Sequence, residues 1–206
     1  MPRTADQGLE KRILRAAQRL WHSRGDKGLT LRAVAREAGT TTTTVYKRFR
    51  SKEELRSALA NRVRQKLAKV TMNAKSIEEA YRLYLRFAEN RPREYRLLFG
   101  PAWVQVIGPS HPRPVREWFR TRLAERFGGV PDDYSDLFDA LFLLMHGAAS
   151  MIAVAPKSRA NKEAEQACIG ICDLLLKNVE IFRPSDRRES NGDKSEGLSS
   201  DAPMPR

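Results

Sequence analysis

The sequence predicts an all-α protein in two parts, and three observations carry that expectation. Apolar residues recur at spacings of three and four along most of the chain, whereas period-two alternation is almost absent. Two Ser-x-x-Glu signatures, Ser51–Glu54 and Ser76–Glu79, each precede a periodic run and read as helix starts. Basic charge is concentrated in the first third. Of the chain's 38 Lys and Arg and 25 Asp and Glu, residues 1–70 hold 18 against 6, and residues 71–206 hold the remaining 20 against 19. A strongly basic module is joined to a nearly neutral one, which points to a polyanion as the partner of the first module.

Taken in order, Leu9, Ile13, Ala16, Ala17, Leu20 and Trp21 share one face of a first helix that ends near Gly25. Thr30 caps a short second helix with Leu31, Val34, Ala35 and Ala38 on its apolar side, and Gly39 suits the left-handed position that closes it. Residues 40–49, TTTTTVYKRF, are the least ordinary stretch, because a run of one mediocre helix former reads first as low complexity. Thr40 or Thr41 can nevertheless cap a third helix. At about 100° per residue, Val45 and Phe49 then point to one side, Thr43 and Lys47 point away, and Thr44 and Tyr46 lie on the flanks.

Two short helices joined by a Gly-containing turn describe a helix-turn-helix, whose second helix enters the major groove N-terminal residues first. Threonine hydroxyls can bond base edges or phosphates, and Tyr46, Lys47, Arg48 and Lys52 supply phosphate contacts. The plain alternative is a Thr-rich surface turn with a solvated basic face. A membrane-surface role for the first 70 residues fits poorly, since the apolar faces are needed to pack three short helices together.

Ser51 opens a fourth helix with Leu55, Leu59, Val63, Leu67 and Val70 at regular spacing. Ser76 opens a fifth, containing Tyr84 and Phe87, which Arg91-Pro92 interrupts before a short helix through Tyr95, Leu97, Leu98 and Phe99 to Gly100. Residues 100–114 are rich in Pro and Gly and read mostly as loop. Val115 to Phe127 reads as helix, stopped by Gly128-Gly129. Pro131-Asp132-Asp133 starts a long helix to about Ala155, and Lys162 to Phe182 forms the last one. The apolar run Ala140–Pro156 falls short of the roughly 20 residues a membrane span needs. No secretory signal is read at the charged N-terminus, which implies a cytoplasmic protein. The division expected is 1–56 for DNA binding with a linking helix over 51–70, then 71–183, then a disordered tail over 184–206.

Chemistry is sparse by comparison. Cys168 and Cys172 lie four apart on one helical face, where two core thiols are the plainer reading and a redox pair the sharper one. No Ser-His-Asp arrangement, phosphate-binding Gly loop or metal-ligand spacing is present, so the expectation is no enzyme, no cofactor and no metal.

The stretch from Gly28 to Arg56, GLTLRAVAREAGTTTTTVYKRFRSKEELR, resembles the DNA-binding segment of the TetR family of bacterial transcriptional repressors. Thr30, Ala35, Gly39, Thr41, Thr44, Val45, Tyr46, Phe49, Ser51, Lys52, Glu53 and Leu55 fall on the family pattern in register. Thr40 stands where Val is usual, Thr43 where Gly is common and Arg48 where His is common. The resemblance implies that Thr30, Thr41, Tyr46 and Lys52 contact the DNA backbone, and that Thr42, Thr43, Thr44 and Lys47 face the bases. Residues 71–182 resemble the family's ligand-binding and dimerisation region, with residues 144–150, LMHGAAS, similar to a subgroup named for a Trp-His-Gly pattern and Phe142 where the Trp is expected.

That resemblance implies a homodimer through helices at about 132–155 and 162–182, packed as a four-helix bundle, and an effector pocket. The pocket residues expected are Tyr84, Phe87, Phe99, Trp103, Trp118, Phe142, Met145 and His146; at helical spacing, the plainer reading of each aromatic is core. The function implied is a ligand-responsive regulator, a repressor released from a double-stranded DNA operator by a small lipophilic effector. The alternative is an architectural or effector-independent DNA-binding protein.

Overall fold

A computed structural model gives the structure of residues 3–99, 113–155 and 158–182. These residues are helical apart from short connections, as the sequence predicts. The helices are α1 (Arg3–Gly28), α2 (Leu31–Glu37), α3 (Thr42–Tyr46), α4 (Lys52–Met72), α5 (Ile77–Asn90), α6 (Pro92–Leu98), α7 (Pro114–Phe127), α8 (Ser135–Val154) and α9 (Arg159–Lys177). Single 3₁₀ turns, Pro131–Tyr134 and Val179–Phe182, precede α8 and follow α9. The expected tail at 184–206, and residues 100–112 of the expected loop, lie outside the described residues.

Local chemistry accounts for the boundaries. Ser51 and Ser76 each accept from the N–H three residues on, at 3.1 Å. The matching glutamates do not return the bond to the capping serine. Glu54 and Glu79 instead accept from Arg50 N–H and Lys75 N–H, one residue further out, at 2.6 Å. Pro92 occupies the first position of α6, where its missing N–H costs nothing.

Four boundaries differ from the sequence reading. Pro114 already opens α7. The acids at 132–133 belong to the 3₁₀ turn rather than to α8, because Asp133 turns back to accept from Val130 N–H at 2.9 Å. The last helix starts at Arg159, since Ser158 caps it through Asn161 N–H, and it ends at Lys177, where the Asn178 side chain donates to Leu174 O at 2.8 Å.

Buried apolar residues form one continuous core from Ile13 on α1 to Val179 beyond α9. Helix α4 runs unbroken past the expected division and packs against α1 at one end and α5 and α6 further along. Helix α8 lies against α5, α6, α7 and α9, burying Leu137, Phe138, Leu141, Met145, Ala149 and Ile152. With its 3₁₀ turn it is the one described helix long and apolar enough to cross a membrane by length and composition; those buried residues belong to the protein core. Cys168 and Cys172 are free thiols, both buried.

The short helix α6 holds two parts of the molecule together. On one side Trp21 Nε1 donates to Arg93 O at 2.9 Å, Gln18 Nε2 donates to Glu94 Oε1 at 3.0 Å, and the Arg93 guanidinium donates to His22 O. Glu94 is 3% exposed. On its other side Tyr95 bonds across to α5 and α8.

Candidate nucleic-acid interface

The turn between α2 and α3 is closed at both ends by hydrogen bonds the sequence specifies. Thr40 N–H donates to Ala35 O at 3.0 Å and Gly39 N–H to Arg36 O at 3.2 Å, the paired bonds of a Schellman closure. Gly39 sits at φ 62°, where a side chain would be strained. Thr30 accepts from Ala33 N–H, and Thr41 accepts from Thr44 N–H, each at 3.1 Å. Thr41 is therefore the cap of α3, and Thr40 completes the turn before it. Val45 is fully buried and Phe49 nearly so. They anchor α3 to the core shared with α1, α2 and α4.

Around these capped ends the outward groups are polar and basic. Tyr46 is 53% exposed, Thr43 and Lys47 are exposed, and Thr42 and Thr44 are half-buried. Lys52 is placed differently from a free phosphate contact. Its Nζ lies 2.8 Å from Asp26 Oδ2 and 2.9 Å from Asp26 O, tying the start of α4 to the end of α1.

The structure adds two residues that the sequence reading passed over. Arg32 and Arg36, four apart on α2, are exposed and engage no carboxylate among the described residues. With Thr30, Ala33, Ala35 and Thr40–Thr42 they line a cleft of about 420 Å³ between the starts of α2 and α3. Their i, i+4 spacing on the polar side of α2 was the signal that could have found them. Two guanidiniums beside two capped helix starts make a surface suited to phosphate oxygens.

Of the expected effector residues, five lie on one aromatic chain. It runs Trp118–Phe119–Phe138–Phe142–His146–Phe99–Tyr95–Tyr84, with ring centroids 4.1 to 6.0 Å apart at each step. Met145 is buried in the core, and Phe87 stands apart under Arg91. Trp103 lies outside the described residues. Tyr95 is the junction of that chain. Its hydroxyl lies 3.2 Å from Tyr84 Oη and 2.7 Å from His146 Nδ1, joining three polar groups inside an apolar cluster.

Burial raises both phenols, Tyr95 to about 12, so they remain neutral and available as donors. Burial also holds His146 below its ordinary 6.5. Because its folded value is depressed, the unfolded chain binds the proton more readily. Stability is then full above about pH 6.5 and falls as the pH drops below it. A melting temperature that declines from pH 7.5 to pH 5.5, and declines less in His146→Gln, is the expected result.

The outer faces of α8 and α9 carry apolar and small residues. Leu143, Met151 and Val154 are 68%, 59% and 73% exposed on α8, with Gly147 between them. Ala167, Gly170, Ile171 and Leu174 are exposed on α9. A Cβ on Gly147 or Gly170 would meet nothing within 4 Å, so nothing described in the chain requires a glycine there. Each glycine costs about 1 kcal/mol of helix propensity against alanine.

Comparison with known proteins follows the same lines. Residues 13–59 match the family described as bacterial regulatory proteins, tetR family. Similar solved structures include a TetR transcriptional regulator from Streptomyces coelicolor, 19% identical with a TM-score of 0.63, the match covering 84% of this chain and 98% of that one. Another is a TetR transcriptional regulator from Rhodococcus, 24% identical at a TM-score of 0.56, covering 85% and 99%. A third is a TetR variant from Acinetobacter baumannii in complex with minocycline, 17% identical at 0.60, covering 83% and 96%. No curated protein matches the chain. With the matched pattern lying on α1 to α4, and its helix-turn-helix closed and capped as that pattern requires, the chain carries a helix-turn-helix segment of the kind described for the tetR family of bacterial regulatory proteins, which supports a DNA-binding regulator of transcription.

Proposed function

We propose that the protein is a cytoplasmic homodimeric repressor that leaves its operator when a small lipophilic effector binds. In this reading residues 1–56, with the linking helix 51–70, hold the DNA, and residues 71–183 bind the effector and form the dimer. The operator contacts are Thr30, Thr41, Tyr46 and Lys52 on the backbone side and Thr42, Thr43, Thr44 and Lys47 toward the bases, with Arg32 and Arg36 added on the phosphates. Lys52 would have to give up Asp26 to reach a phosphate. Two such units read half-sites one DNA turn apart, roughly 34–36 Å.

The observation that carries the effector reading is the position of α6 between α1 and the Tyr84–Tyr95–His146 cluster. A ligand that binds better when this helix is displaced favours a conformer with the wrong half-site spacing, and it releases DNA through that difference in affinity. The fold accepts a drug-sized molecule in the Acinetobacter baumannii protein, which supports the same use here. Phe142, His146 and Gly147 would stand in this chain for the Trp-His-Gly pattern.

Selection of duplexes from a random pool with the purified protein tests the reading. The enriched duplex is expected to outcompete random DNA by about 10³-fold or more. Lys47→Ala combined with Tyr46→Phe should remove most of that preference. Arg32→Ala with Arg36→Ala should weaken binding to all duplexes and flatten its salt dependence by about two phosphate contacts. Equal affinity for selected and random duplex would leave an architectural DNA-binding protein instead.

A further inference from the structure

The five threonines of residues 40–44 do not offer five hydroxyls to DNA. Thr41 Oγ1 already accepts the Thr44 N–H, and the Thr44 hydroxyl closes on the same atom, with the two oxygens 2.8 Å apart. Whichever oxygen donates, the Thr44 hydroxyl is drawn back along the helix to its cap. The other branch of that side chain is a methyl group. Thr44 is half-buried rather than buried, so part of it remains at the surface of the recognition helix.

Nothing else on that surface reads a base by paired hydrogen bonds. Residues 40–47 contain no Arg, Asn, Gln, Asp or Glu, the side chains that make bidentate or strongly directional base contacts in the major groove. Lys47 is the one cation in that stretch. Among the four unmodified base edges in that groove, thymine alone presents an apolar group, its C5-methyl.

We propose that Thr44 reads the operator through its methyl group, and that its counterpart is the C5-methyl of a thymine in each half-site. The proposal rests on the helix-turn-helix reading above and adds the chemistry of the base contact. Thr42 and Thr43, whose hydroxyls are not engaged by Thr41, contribute the polar contacts beside it. Discrimination at the Thr44 position then depends on buried methyl area rather than on donors and acceptors.

The probe is the duplex enriched from a random pool, prepared with thymine and again with deoxyuridine at each half-site thymine in turn. Deoxyuridine keeps the base pair and removes the methyl alone. One position per half-site should lose about fourfold in affinity for each methyl contact, so about 16-fold when both half-sites are changed. At that position 5-methylcytosine should be bound better than cytosine by a similar factor. Thr44→Ser keeps the hydroxyl pair with Thr41 and should abolish the difference between thymine and deoxyuridine, whereas Thr44→Val should retain it. Circular dichroism confirms that both variants keep their helices.

Equal binding of thymine and deoxyuridine duplexes, with preference over random DNA intact, overturns this inference and leaves the regulator reading standing. The same holds if a methyl effect persists unchanged in Thr44→Ser. A protein with no preference for the enriched duplex overturns both.

Discussion

Leu174→Glu is expected to run as a monomer in light scattering and to bind its operator at least about 100-fold more weakly than the parent protein. Leu174 is 58% exposed on α9, close in sequence to the exposed Ile171 and Gly170, and α8, which packs against α9, exposes Leu143, Met151 and Val154. An exposed leucine replaced by glutamate costs the isolated fold little, within about 0.5 kcal/mol. Placed in the centre of an apolar interface, the same carboxylate must be desolvated twice by symmetry. Two helix-turn-helix units held in one dimer bind the second half-site at a high effective concentration, and that gain is lost in the monomer. Thermal unfolding read beside the scattering separates loss of the dimer from loss of the fold. A Leu174→Glu protein that remains dimeric would move the interface off this face.

The second large effect is on stability. Tyr95→Phe is expected to lower stability by roughly 2–4 kcal/mol, because it strips a shared hydroxyl out of a buried relay. Tyr84 Oη loses its partner at 5% residue exposure, and His146 Nδ1 loses a bond of 2.7 Å. For a chain of this size that corresponds to a melting temperature lower by roughly 5–15 °C. Tyr84→Phe should cost clearly less in the Tyr95→Phe background than in the parent, since the bond it breaks is already gone. Additive costs would show that the two hydroxyls do not act as a pair.

Much of the fold was readable because its boundaries are set by local chemistry. Thr30, Gly39, Thr41, Ser51, Ser76 and Arg91-Pro92 act within one turn of themselves, and a helical period of apolar residues identifies the buried face. Two of the misplaced boundaries, at 131–135 and 158–162, were decided by which side chain turned back on the backbone: Asp133 to Val130, and Ser158 to Asn161. Spacing alone does not choose between such caps.

The site was less legible for a related reason. Arg32 and Arg36, passed over in the sequence, share the i, i+4 spacing of any solvated helix face, and the cleft between α2 and α3 is what gives them a common target. Lys52 looked free until Asp26, 26 residues away, was folded against it. Tyr95 matters through partners 11 and 51 residues distant, a relation no sequence window contains.

The division of labour within residues 40–49 bears on how such a regulator acquires new targets. Thr41, Val45 and Phe49 hold the helix in place, and Thr42, Thr43 and Lys47 do not share in that task. If these three face the operator as proposed, they can drift freely, and operator preference can be rewritten without first finding compensating mutations in the core. Thr44 is the exception, tied to the cap by its hydroxyl and, on the reading proposed above, turned to the groove by its methyl. It is the one outward position where a change of target and a change of scaffold are the same mutation, and descendants of this protein should vary there last.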